Sequence, residues 1–217
     1  MTTEEINLLV EKYFNAEGYK FPTHFEHRYD PDSSAITYSL IRHFKPQTIL
    51  HIGTWEGGST CLIMAALLKN NKIFQYIAAE LLSDKREKTA QHCLEKNNLS
   101  PMIIGNITNN LLMIPDEIDF LFHDTDHDLE TTKWIFENIV PKLKNGALIN
   151  FHDWAVTDNH GIWSGKIENG MGGWPETEYM LGLHREGKLP FKKLYFNYGI
   201  GKPSNREAGF FIYKKPK

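Results

Sequence analysis

Hydrophobic and polar positions change their period along this chain. From position 46 onward, short apolar runs alternate with amphipathic stretches. "TILHI" (48–52) is followed by "STCLIMAALLKN" (59–70), and "KIFQYIAAE" (72–80) by "SDKREKTAQHCLEKNNL" (83–99), where Asp84 and Glu87 have capping-box spacing. "MIIGN" (102–106) precedes a short "ITNNLLMIP". "IDFLFHD" (118–124) runs into "LETTKWIFENIVPKL" (129–143), whose Phe136, Val140 and Leu143 share one helical stripe beside Ile135 and Ile139. "ALINFHD" (147–153) comes next. Strands that are apolar nearly throughout, separated by helices, predict a parallel sheet covered on both faces.

The flanks differ. Residues 3–16 and 33–44 have helical periodicity, and a Pro-, His- and aromatic-rich connection, 19–31, joins them. After Asp153 the regularity stops. Residues 155–175 carry Gly161, Gly165, Gly170, Gly172 and Gly173 with Trp163 and Trp174. A helix over 175–187 and two strands, "FKKLYFNY" and "GFFIYKK", close the chain. The loop between those strands is too short for a helical crossover, so the pair is expected to be antiparallel. The chain therefore divides into an N-terminal helical cap (1–45), a core (46–154), an irregular segment (155–175) and a C-terminal helix with a hairpin (176–217), all within one domain.

Composition narrows the class. In 217 residues, 41% hydrophobic and 24% charged residues describe an ordinary globular chain, and a net charge of −3 gives no electrostatic case for nucleic acid or an acidic membrane. Cys61 and Cys93 lack metal-ligand spacing and are expected to be small core residues in a reducing compartment. "MTTEEINLLVEKYF" has neither a basic start nor an apolar core, so no signal peptide is expected and a cytoplasmic location is the default.

The first predicted strand runs into "HIGTWEGGST", which sets Gly53, Gly57 and Ser59 in a strand–turn–helix. Open α/β sheets bind ligands at the carboxyl ends of their strands, and glycines there let the backbone approach a ligand closely. The spacing is not the G-x-G-x-x-G of dinucleotide sites. Glu80 ends the next strand about 20 residues beyond the turn, where a carboxylate can accept hydrogen bonds from both ribose hydroxyls.

Strand, "HIGTWEGGST", helix, strand and Glu80 together resemble the cofactor half of class I S-adenosylmethionine-dependent methyltransferases. "FHDTDHDLE…VPKLKNGALINFHDW" is similar to a small-molecule branch in which "DGDH" ends the fourth strand and "HDW" or "HDY" the fifth. The resemblance covers roughly 35–154. It implies a Rossmann-like methyltransferase fold: a three-layer α/β sandwich, sheet order 3-2-1-4-5, with the antiparallel hairpin beyond. It also implies an S-adenosylmethionine site built from His51, Gly53, Trp55, Gly57, Ser59, Glu80, Asn106 and Asp124. His51 stands where the family usually has Glu or Asp, Asn106 where an acidic residue often follows the third strand, and Thr125 replaces the glycine between the paired aspartates.

In that sheet order, strands four and five bring Asp124, Asp126 and His127 close to His152 and Asp153. Carboxylates crowded this way repel one another unless a cation or protons neutralise them. Oxygen ligands suit Mg²⁺ or Ca²⁺, and an added imidazole favours Mn²⁺, Fe²⁺ or Zn²⁺. Asp124, Asp126, His152 and Asp153 are the metal candidates, with Mg²⁺ or Mn²⁺ favoured. Asp128 needs no role beyond capping the helix that starts near Leu129. His123 and His152 also suit hydrogen-bonded packing. His127 is the candidate general base, since an unperturbed pKa of about 6.5 suits proton transfer at neutral pH. Asp124 and His127 would then carry methyl transfer to a hydroxyl of a small-molecule acceptor, with 155–175 as a lid. A homo-oligomer is left open. Two other functions compete: a metal-dependent hydrolase, and an adenosyl-cofactor-binding protein without catalysis.

Overall fold

The computed structural model describes residues 1–20, 31–54, 57–80, 87–96, 98–99, 103–104, 107–125, 128–152, 175–197 and 208–216. Helix α1 (Thr3–Leu9) is started by Thr2 in a capping box: the Glu5 N–H donates to Thr2 Oγ1 at 3.1 Å, and the Thr2 N–H to Glu5 Oε2 at 2.7 Å. The helix widens into a π-helical segment, Val10–Asn15, where one continuous α-helix was expected. Then come α2 (Pro31–Phe44), β1 (Thr48–Ile52), α3 (Gly58–Lys69), β2 (Gln75–Glu80), α4 (Glu87–Lys96) and β3 (Ile103–Ile104). A 3₁₀ segment, Ile107–Met113, leads to β4 (Ile118–His123) and α5 (Leu129–Asn138). The chain continues through β5 (Leu143–His152), α6 (Pro175–Arg185), β6 (Phe191–Asn197) and β7 (Ala208–Tyr213).

The seven strands among the described residues form one sheet of order β3-β2-β1-β4-β5-β7-β6. The pairings among β1 to β5 are parallel, whereas β7 runs antiparallel to both β5 and β6. The last strand thus slots between β5 and β6.

Strand alternation explains the three layers. On β1, Ile49 faces the core shared with α1, α2, α3 and α4, while Leu50 and Ile52 face the core shared with α5 and α6. Phe120 and Phe122 of β4 join the first core, and Leu121 joins the second. Both phenylalanines are fully buried, so truncating either to alanine would cost roughly 3–5 kcal/mol. No helix among the described residues is long and apolar enough to cross a membrane.

Three boundaries differ from expectation. The stripe assigned to a helix over 129–143 breaks after Asn138, because Pro141 cannot continue the helix ladder; Val140–Lys142 is 3₁₀, and Leu143 opens β5. β5 therefore starts four residues before "ALINFHD". Its pairing with β4 shifts between Ile118↔Leu143 and Phe120↔Leu148, where Gly146 takes φ +90°. β2 starts at Gln75 instead of Lys72, because Asn71 adopts φ +52° after α3 and leaves Ile73 exposed. Cys61 is half-buried on α3 and not in the core.

Candidate active site at the carboxyl ends of the strands

β1 ends in a turn tied to both neighbouring strands. The Gly53 N–H donates to the Ala79 carbonyl of β2 at 2.8 Å, and the Asp124 N–H donates to the Ile52 carbonyl at 2.9 Å. Gly53 has φ +88°, and a Cβ there would meet the Asp124 carbonyl oxygen at 1.7 Å. Glycine is required by the close passage of β4's exit as well as by the left-handed backbone. Gly57, at φ +89°, is the N-cap of α3, and a Cβ on it would press on Ala90 of α4 at 3.0 Å. At each glycine the space a Cβ would take is filled by the protein's own backbone.

His51 is fully buried behind this turn. Its Nδ1 lies 2.5 Å from Tyr76 Oη, and its Nε2 lies 3.0 Å from the Gly53 carbonyl oxygen and 3.3 Å from Ser59 Oγ. The ring also stands edge-on to Phe122, with centroids 4.7 Å apart. Burial lowers the His51 pKa to about 4, against the opposing pull of Asp124 and of the Gly53 hydrogen bond, so the ring is neutral at pH 7. Tyr76 was not picked out from the sequence. Its one signal is a polar-tipped aromatic beside the apolar Ile77, Ala78 and Ala79 of β2.

On the far side of the turn, Asp124 follows the last residue of β4, and His152 is the last residue of β5. Asp124 Oδ1 lies 3.1 Å from His152 Nδ1; the imidazole is buried, while the carboxylate side chain keeps 25% exposure. The carboxylate end of β4 thus has an imidazole partner on β5, as the sheet order implied. His123 points to the opposite face: its Nε2 is 3.1 Å from Thr125 Oγ1 and its ring packs on Phe151. Asp128 is the N-cap of α5, accepting from the Thr131 N–H and the Thr131 hydroxyl, each at 2.7 Å. Glu80 is the last residue of β2, next to Ala79, whose carbonyl holds the turn.

Trp55, Asn106, Asp126, His127, Asp153 and residues 155–174 of the irregular segment, with Trp163 and Trp174, lie outside the described residues. Among the described residues, no three His, Cys, Asp or Glu side chains form a group that could hold a metal.

A sheet of this order, with helices on both faces and β7 inserted antiparallel, defines the Rossmann-like methyltransferase fold. Residues 50–154, from within β1 to just past β5, match the family model described as a methyltransferase domain. That match over the cofactor-binding stretch supports the class I S-adenosylmethionine-dependent methyltransferase family for this chain. No curated protein matches it in sequence.

Solved structures share the fold at low identity. The O-methyltransferase from Bacillus cereus, in complex with S-adenosylhomocysteine, is 16% identical with a TM-score of 0.63, covering 99% of this chain and 92% of its own. The O-methyltransferase TomG from Streptomyces achromogenes, in complex with S-adenosylmethionine, is 13% identical with a TM-score of 0.65, covering 99% and 92%. A Streptococcus thermophilus rRNA methylase is 9% identical with a TM-score of 0.57, covering 83% and 96%. Enzymes named for such different acceptors share this fold, so the fold alone does not choose among acceptors.

Proposed function

We propose that this chain transfers the methyl group of S-adenosylmethionine to a hydroxyl of a small molecule, with a divalent cation assisting, at the carboxyl ends of β1, β4 and β5. The observation that carries the proposal is the backbone contact between Gly53 and Asp124. It joins the turn expected to hold the cofactor to the carboxylate expected to serve the reaction. The Bacillus cereus and Streptomyces achromogenes neighbours are O-methyltransferases, which supports oxygen as the acceptor atom.

The residues present fit an adenosyl ligand. Glu80 ends β2 directly beside the turn, where its carboxylate can accept from ribose hydroxyls. When bound, the cofactor would supply a sulfonium methyl group: an O–C bond would form as the S–C bond broke, S-adenosylhomocysteine would leave as a neutral thioether, and the acceptor's proton would pass to a base. His127, four residues past the end of β4, is our candidate for that base. Holding the acceptor in line is the protein's larger contribution, because alignment alone removes much of the barrier.

Asp124, a partly exposed carboxylate at the rim, would hold the cation, and Asp126, two residues further on, and Asp153, next to His152 in sequence, would complete an oxygen set. When bound, it would neutralise those carboxylates and make the acceptor hydroxyl more acidic. His152 Nδ1 already faces Asp124 Oδ1, so its part on this account is to hold the carboxylate's direction.

The test is transfer of labelled methyl from S-adenosylmethionine to a panel of small hydroxylated acceptors, with Mg²⁺ or with chelator. Transfer that requires metal and is lost in Asp124→Asn supports the proposal. Full transfer in excess chelator removes the cation from it, and no transfer to any hydroxyl acceptor removes the oxygen.

A further inference from the structure

The geometry points to Tyr76 and His51 as a positioning relay that turns the Ser59 hydroxyl into a hydrogen-bond donor toward the ligand. This inference rests on the methyltransferase function proposed above.

Register places the relay. His51 pairs with Ala78 across the parallel β1–β2 ladder, and Tyr76 lies two residues earlier on the same face of β2. The Gly53 carbonyl can only accept, so His51 Nε2 must carry the ring proton that reaches it at 3.0 Å. A neutral imidazole has one proton, so Nδ1 must accept, and its donor is the hydroxyl of Tyr76, whose Oη lies 2.5 Å away. Tyr76 therefore selects the His51 tautomer.

The consequence falls on Ser59, the second residue of α3. Its Oγ lies 3.3 Å from His51 Nε2, on the same side as the Gly53 carbonyl, so the Nε2–H is shared between two acceptors. One Ser59 lone pair is thereby occupied, and the Ser59 proton remains to donate. Ser59 is 7% exposed, beside the glycine turn. The ligand group it suits is an acceptor, a carboxylate above all.

Two measurements test the relay. Long-range ¹H–¹⁵N correlation on the ligand-free protein reads which His51 ring nitrogen carries the proton, independent of any cofactor. The relay requires Nε2; a proton on Nδ1 overturns it. The second is a cycle of S-adenosylhomocysteine dissociation constants for wild type, Tyr76→Phe, Ser59→Ala and the double variant. Each single change is expected to weaken binding roughly three- to tenfold, with the double variant close to the weaker single. Unchanged binding in Tyr76→Phe, or a double variant equal to the product of the singles, makes Tyr76 a packing residue and overturns the relay. If wild type does not bind S-adenosylhomocysteine at all, the methyltransferase proposal fails, and the ring-nitrogen measurement alone decides the relay.

Discussion

Gly53 and Asp124 meet backbone to backbone: a Cβ on Gly53 would stand 1.7 Å from the Asp124 carbonyl oxygen. Gly53→Ala must therefore move the exit of β4 or open the turn, on top of holding alanine at φ +88°. We expect it to destabilise the fold by roughly 2–5 kcal/mol in urea unfolding. Gly146 is the control. Its φ is +90° with nothing within 4 Å, so Gly146→Ala should cost only about 1 kcal/mol. Equal losses at the two sites would mean that the β1–β4 contact is slack.

The acidic stretch after β4 should divide by role. Asp128→Ala removes the α5 cap and should cost about 1 kcal/mol without changing ligand affinity or transfer rate. Asp124→Asn keeps the shape of the rim and should abolish methyl transfer while leaving S-adenosylhomocysteine binding within about threefold. Calorimetric titration of ligand into each variant, beside a rate assay, separates them. A rate loss in Asp128→Ala that exceeds its effect on stability would mean that the cap has a second task.

Much of this was legible in the residues. Alternation on β1 and β4 sorted both cores, and the apolar strands separated by helices required a parallel sheet. Asp128 announced itself as a cap by its place before Leu129. Pro141 was the missed signal at the α5–β5 boundary, where an apolar stripe outweighed a missing N–H. Gly53 was assigned to the right turn for a partial reason: which atom fills the space beside a glycine is a tertiary fact. The pairing of Asp124 with His152 needed the sheet order, and the role of Tyr76 needed register as well, since no local spacing ties position 76 to position 51.

His51 should make stability depend on acidity. Its pKa is 6.5 in an exposed chain and about 4 here, lowered chiefly by burial, so the unfolded chain binds the proton more readily between those values. Stability is then complete above about pH 6.5 and is lost as pH falls toward 4, by a few kcal/mol at most. Urea unfolding at pH 7 and pH 4.5 should show a smaller acid loss in His51→Gln than in wild type. An identical acid loss in both would mean that this ring does not govern the acid limb.

The central claim is that the β1 turn and the end of β2 hold an adenosyl cofactor. Its most direct test is the melting temperature of the purified protein with S-adenosylhomocysteine, with NAD, and with neither. A ligand at about 100 times its dissociation constant adds roughly 2.7 kcal/mol of stability. We predict a clear rise with S-adenosylhomocysteine, none with NAD, and loss of most of that rise in a folded Glu80→Ala variant. Stabilisation by NAD and not by S-adenosylhomocysteine would contradict the account.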